Sequence, residues 1–189
     1  MTYPDVPPRS VGELTKLVES TGAVKYLYFW GHQPSPGGGV GPGCLSQWWP
    51  ATFTVDGEDY PTAEHFMMVG KARLFGAEDI AQRILASPRP GAAKALGRQV
   101  PGFDEQAWAD RRWDIVLRGN IAKFGQHADL GAFLAGTGQR VLVEASPIDA
   151  IWGIGLAVDD PGAGDPLRWQ GLNLLGFVLM ETRAVLTRQ

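Results

Sequence analysis

The sequence has almost no cysteine. Cys44 is alone among 189 residues, so no internal disulfide can form and no second thiol is available to share a metal. That usage reads as a reduced, cytosolic protein, with catalysis by the thiol a minor alternative. Long apolar runs are also missing. The longest, near Leu172 to Met180, is broken by Asn173 and Gly176 and falls far short of the roughly 18 residues a membrane span needs. The opening segment MTYPDVPPRSVGEL has no basic stretch followed by an apolar one, which argues against a secretory signal. Neither charge sign dominates: 17 Lys and Arg stand against 20 Asp and Glu, a net charge of −3. Such a balance lacks the basic footprint of a non-specific duplex binder and favours a small or locally gripped ligand.

Several reaction types lack their usual patterns. His32, His65 and His127 are not spaced with one another, or with Cys or carboxylates, as metal ligands would be. Gly37-Gly38-Gly39 is not followed by the Gly-Lys-Ser/Thr of a phosphate-binding loop, and no GxSxG supports a serine nucleophile. No internal repeat is present.

What is present suffices for one core. A hydrophobic content of 44% in this length is normal for a single compact domain, here expected over residues 10–189 with 1–9 as a flexible arm. Ser10 and Glu13 have capping-box spacing, predicting a helix to about Ser20. Val24 to Trp30 is β-branched and aromatic and reads as a strand ending at Gly31. The following GHQPSPGGGVGPG has five glycines and three prolines between Pro34 and Gly43, which excludes regular structure and leaves a surface loop or lid. Phe53-Thr54-Val55, Asp56-Gly57, Glu58-Asp59-Tyr60 has the Asp-Gly signature of a tight hairpin. Thr62 is placed to cap a helix reaching about Phe75. Further helices are expected at 77–86, 91–97, 105–125 with Asp104 as N-cap, 128–135 and 172–187, and a strand at 140–144. The class is α+β, helix-rich, with a small β-sheet.

Candidate chemistry begins on the helix after Thr62. At 3.6 residues per turn Glu64, Met68, Lys71 and Phe75 share a face, while Phe66 and Val69 make the other sides apolar. Two ionisable groups therefore enter partly dry surroundings, where each needs a partner, a shifted pKa or a cavity. They lie about 10 Å apart along the axis, too far for an easy salt bridge but able to converge on one ligand. The alternative is plain: Glu64 complements a helix N-terminus and Lys71 snorkels to water. In Asp149 to Gly155 an aromatic and near-adjacent glycines suit close approach to a flat or phosphorylated ligand, or a core tryptophan before a turn. Asn173 opens the last helix either as a phosphate site with free backbone donors or as a cap. Trp48 and Trp49 beside the glycine loop suit base stacking or core closure.

Taken in order, these segments resemble the NADAR family, which includes YbiA-like proteins. The matching residues are Tyr28-Phe29-Trp30; Leu45-Ser46-Gln47-Trp48; Val55-Asp56-Gly57; Tyr60 to Phe66 with Lys71; Ser87-Pro88; Ala92-Ala93 and Leu96-Gly97-Arg98. Lys123-Phe124 with His127, Asp149 to Gly153, Asn173 to Gly176, Leu179-Met180 and Arg183 follow, so the likeness spans roughly 26 to 186. Gln47 departs from a usual Asn and Ile154 from an expected Asp, and the 32–43 loop and the stretch from Trp152 to Asn173 are longer than in YbiA-like members.

The resemblance implies an N-glycosidase that cleaves between a ribose phosphate or ADP-ribose and a nitrogenous base, without cofactor or metal. Its substrate would be a small nucleotide or ADP-ribosyl compound, including ADP-ribosylated guanine in nucleic acid. The alternatives are the early riboflavin intermediates used by YbiA-like members, or an ADP-ribose reader without turnover. In this reading Glu64 is the acid/base or stabilises positive charge at the anomeric carbon. Asp149 holds ribose or positions water, and Lys71 attacks the ring-opened sugar as an amine. The implied substrate-binding residues are Trp30, Gly31, Ser46, Trp48, His65, Trp152, Gly153 and Asn173. No membrane partner is implied, and oligomeric state is left open.

Overall fold

The computed structural model describes residues 6–188. Of the expected 1–9 arm, residues 1–5 therefore lie outside the described residues; Pro8 is buried and Arg9 pairs with Glu181. In chain order the elements are α1 (Val11–Thr21), β1 (Tyr26–Phe29), β2 (Phe53–Val55), β3 (Glu58–Tyr60), α2 (Ala63–Leu74), α3 (Glu78–Leu85), α4 (Pro90–Gly97), α5 (Glu105–Gln126), α6 (Ala128–Gly136), β4 (Val141–Glu144) and α7 (Leu174–Thr187). The class is α+β and helix-rich, as the patterning implies. Its strands form two separate pairs, β1 parallel to β4 and β2 antiparallel to β3. By contact density the chain divides into two compact units, one of residues up to Ser46 and from Asp129 onward, the other Gln47–Ala128.

In the Gln47–Ala128 unit, Asp56 and Gly57 both have positive φ, 54° and 80°, as a two-residue hairpin turn requires. The register sets Phe53 opposite Tyr60. Their rings stack at 5.9 Å, and Phe66 of α2 lies 5.9 Å from Phe53 and 4.8 Å from Tyr60, so the hairpin is seated on α2. The helix is buried from Ala63 through Val69 and again at Ala72. Gly70 lets α5 come close, since a Cβ there would lie 2.7 Å from Ile115. Gln126, at the end of α5, bonds both backbone groups of Thr54 at 2.9 and 2.7 Å and so ties the long helix to the hairpin.

In the other unit, β1 and β4 pair from Tyr26↔Val141 to Phe29↔Glu144. Parallel strands need a long crossover, and here the entire second unit lies between them in the chain. α7 packs on β4, with Leu175 and Phe177 to Met180 each no more than about 1% exposed. Residues 145–173 are irregular apart from a 3-10 turn, Pro166–Arg168, and backbone hydrogen bonds hold them: Ile154 N–H to Glu144 O, Gln170 N–H to Ile154 O, Leu172 N–H to Ala150 O.

Three local expectations need correction. Ser10 caps α1 as expected, but the Glu13 carboxylate accepts from Arg9 N–H rather than from the cap residue. The glycine-rich loop is not wholly irregular: Pro42–Leu45 form a 3-10 turn, started by a proline whose missing N–H costs nothing at a helix start. β1 is only four residues long because its partner β4 is equally short.

Gly176 lets the backbone of α7 approach that of β4 closely. A Cβ there would overlap the Leu142 carbonyl oxygen and the Asn173 amide. Backbone cannot yield as a side-chain end can, so Gly176→Ala should destabilise the protein by about 2 kcal/mol or more in chemical denaturation. Gly12→Ala, whose Cβ would meet nothing nearer than 4.0 Å, should change stability by less than about 0.5 kcal/mol.

Candidate functional site

At the start of α2, the Thr62 hydroxyl accepts from His65 N–H and meets His65 Nδ1 at 2.8 Å. The other ring nitrogen, Nε2, lies 3.1 Å from the Ser87 carbonyl and 3.2 Å from its hydroxyl, which itself donates to Ile84 O. A carbonyl can only accept, so Nε2 carries the proton and Nδ1 accepts from Thr62. Burial lowers the His65 pKa, partly opposed by the Ser87 carbonyl. The imidazole is thus a neutral rivet between the helix start and the α3–α4 connection, with no exposed surface.

Glu64 is carried on that fixed turn. It is 2% exposed, and its N–H, one of the donors a helix start leaves over, is taken by the Gln47 carbonyl at 2.9 Å. The Gln47 side chain accepts from Asn120 Nδ2 at 2.9 Å, and the same nitrogen donates to Val116 O at 2.8 Å. Asn120 is fully buried and its Oδ1 accepts no hydrogen bond, leaving an acceptor that favours a donor from a ligand or water. Trp48, next to Gln47, lays its indole against α4, 3.5 Å from where a Cβ on Gly91 would sit. Trp48, Glu64 and His65 therefore gather at one end of α2. Gln47 is part of that assembly.

Lys71 has different neighbours. Its amine lies 4.0 Å from the centroid of the Phe103 ring and 5.9 Å from that of Trp108, at the connection from α4 to α5. Burial lowers its pKa; Glu105 acts against that shift and Arg98 adds to it. Asn120 and Lys123 are the polar residues that the sequence reading undervalued. Both are fully buried on the face of α5 that carries Val116, Gly119 and Phe124, and a helical wheel of α5 would have flagged them. A separate groove of about 520 Å³ between α2 and α5 has Tyr60, Phe66, Arg73 and Arg118 among its walls and none of the expected site residues. Arg73 is already held by Glu58 and Glu78, and Arg118 by Asp56.

In the other unit the expected residues collect outside the carboxyl ends of β1 and β4, where parallel sheets commonly bind ligands. Trp30 follows β1 directly and is 62% exposed, with Gly31 after it at φ 75°. Past β4, Asp149 Oδ1 accepts from Ile151 N–H at 2.9 Å and Trp152 N–H at 2.8 Å, fixing the loop that presents half-buried Trp152. Gly153 passes so close that a Cβ would lie 2.8 Å from Glu144 O. Ile154 is fully buried and belongs to the core. Half-buried Ser46 ends the 3-10 turn, its N–H bonded to Gly43 O.

The expectation of free donors at the start of α7 is corrected. The Leu174 and Leu175 N–H groups are taken by the Ile151 and Trp152 carbonyls. Asn173, at φ 51°, spends its amide on β4, accepting from Glu144 N–H and donating to Leu142 O, both at 3.0 Å. It has no exposed surface. The loop that carries Trp152 lies against the helix end and takes these two donors. Among the described residues no group of three or more His, Cys, Asp or Glu is arranged to hold a metal ion, and no helix is long and apolar enough to cross a membrane.

The NADAR domain family model matches residues 28–187. An N-glycosidase of Acanthamoeba polyphaga mimivirus is 40% identical over 164 residues, covering 84% of this chain and 95% of its own length. The N-glycosidase YbiA of Escherichia coli (strain K12) is 34% identical over 135 residues, 71% of this chain and 74% of that protein. The NMR structure of the E. coli protein YbiA superposes with a TM-score of 0.67 at 29% identity, covering 87% of this chain and 86% of that one.

The rivet has a pH signature. Because the folded His65 pKa lies below its ordinary value near 6.5, the unfolded chain takes up the proton first as pH falls. Its contribution is complete above about pH 6.5 and is lost from there down to the folded pKa, by at most about 1.4 kcal/mol per pH unit. Urea denaturation between pH 7.5 and 5 should show this extra slope in the native protein, reduced in His65→Gln.

Proposed function

The chain belongs to the NADAR domain family, and on that premise we propose that this N-glycosidase removes ADP-ribose from guanine, in a nucleotide or in nucleic acid. The observation that carries the reading is Glu64: a carboxylate 2% exposed, on a helix start whose backbone is held by Gln47 and whose next residue is riveted by Thr62 and Ser87. A carboxyl group in such surroundings is suited to proton transfer and to stabilising charge at the anomeric carbon, because fixed groups in a dry site act more strongly than in water. In its protonated form Glu64 gives its proton to the departing base as the N-glycosidic bond breaks; water adds to the ribosyl cation at the anomeric carbon and its proton returns to the Glu64 carboxylate, with no metal called on. Asp149 is assigned to the ribose hydroxyls through the oxygen that its loop does not use. Trp48, Trp30 and Trp152 are assigned to stacking, with Gly31, Ser46 and Gly153 supplying backbone contact. His65 and Asn173 serve by holding the backbone that carries these groups. Lys71 is assigned to the ring-opened sugar. The lone cysteine supports a cytosolic setting.

The early riboflavin intermediates implied by the sequence resemblance to YbiA-like members are the second substrate class. Release of free base from a guanine-ADP-ribosylated oligonucleotide and from those intermediates, followed by chromatography, separates the two. The oligonucleotide is expected to be the substrate turned over, with Glu64→Gln slowing release by about 100-fold or more at an unchanged melting temperature. Tight binding without release would make the protein a reader. Equal, background-level release by native protein and variant from every substrate would rule out a catalytic Glu64.

A further inference from the structure

Phe103 is 42% exposed, a poor place for a phenyl ring unless something holds it. It lies on the connection between α4 and α5, just after Gly102, which has φ 64°. One contact of the ring is with Phe75, edge to face at 5.4 Å and 62°. Another is the Lys71 ammonium, 4.0 Å from its centroid, with the Trp108 indole 5.9 Å from the same nitrogen. Lys71 makes no salt bridge among the described residues, and the charged groups that act on it are one of each sign, Glu105 and Arg98. Glu105 is itself shared with Arg112 at 3.6 Å. With no salt bridge among the described residues to orient it, the four-carbon stem would otherwise sample many rotamers. The aromatic quadrupoles are the remaining orienting force, and such contacts are stronger when partly desolvated.

We propose that Phe103 is a positioning residue whose ring covers the Lys71 amine and sets both its orientation and its reactivity. The ring holds the ammonium by its π face, and it also blocks approach from the solvent side. An electrophile that is to meet the amine needs the ring displaced. The consequence for turnover rests on the assignment of Lys71 above; the cover itself does not.

The test compares the full-length protein with Phe103→Leu, which keeps apolar bulk without the quadrupole, and Phe103→Tyr, which keeps the ring. Acetylation of each lysine by an N-hydroxysuccinimide ester is followed by mass spectrometry, with exposed Lys16 and Lys25 as internal standards. Once each rate is corrected for that amine's neutral fraction, read from the pH dependence of its acetylation, Lys71 should react several-fold more slowly than these in the native protein. It should react about two- to fivefold faster in the Leu variant, the factor a cation–π contact at an exposed site is worth, and return to the native rate in the Tyr variant. After reductive methylation with ¹³C-formaldehyde, the dimethyl signal of Lys71 should be shifted upfield by the ring current in the native and Tyr proteins and not in Leu. A Lys71 rate equal to that of Lys16, or a rate and chemical shift unchanged by Phe103→Leu in a variant that melts normally, would overturn the proposal. If the Leu variant alters Lys71 reactivity but leaves base release unchanged, the cover stands and the catalytic assignment of Lys71 falls.

Discussion

A helix that begins inside a protein must find partners other than water for its first N–H groups, and in both units the site residues depend on how that demand is met. At α2 the Thr62 hydroxyl and the Gln47 carbonyl take the His65 and Glu64 donors. At α7 the Ile151 and Trp152 carbonyls take the Leu174 and Leu175 donors. Each solution fixes a loop against a helix end. The loop through Gln47 brings Trp48 beside the start of α2, and the loop through Trp152 is fixed beside the start of α7. Capping in this protein is therefore more than a source of helix stability. It aligns the segments that carry the candidate chemistry.

The same demand accounts for the placement of the buried polar residues. His65 links the first turn of α2 to Ser87 and stays neutral because burial disfavours its charge. Asn120 holds the Gln47 side chain while Gln47 holds Glu64 through its backbone, so a longer amide at 47 reaches α5 without disturbing the helix start. Asn173 adopts a left-handed conformation that few residues tolerate, and in return bonds β4 at both Leu142 and Glu144. Gly153 and Gly176 are the close approaches that make these bonds geometrically attainable.

Glu64 and Lys71, which one helical face brings together on paper, have different fates. The first turn of α2 is sealed, so Glu64 is dry and its backbone fixed. Two turns later Lys71 is only half-buried, its amine near the ring of Phe103 on the α4–α5 connection and that of Trp108 in the first turn of α5. Helical periodicity describes which residues share a side; it does not say what comes to rest against each level of that side.

What could be read from the sequence was what local chemistry decides. Ser10, Thr62 and Asp104 are N-caps because a short side-chain oxygen next to an amphipathic segment has few other uses. Asp56-Gly57 is a hairpin turn because only such residues accept two positive φ angles. The buried character of α2 and α7 was visible in their all-round apolarity, and the ordered set of dispersed motifs marked the family. Tertiary structure decided the rest. Parallel pairing of β1 with β4 spans more than a hundred residues of chain, and no local pattern records it. The partners of Gln47, Asn120 and Asn173 are backbone or amide groups that any sequence supplies in plenty, so only packing selects among them. The donors at the start of α7 looked free because their acceptors lie about twenty residues upstream, in a loop whose path is set by a fold and not by a motif.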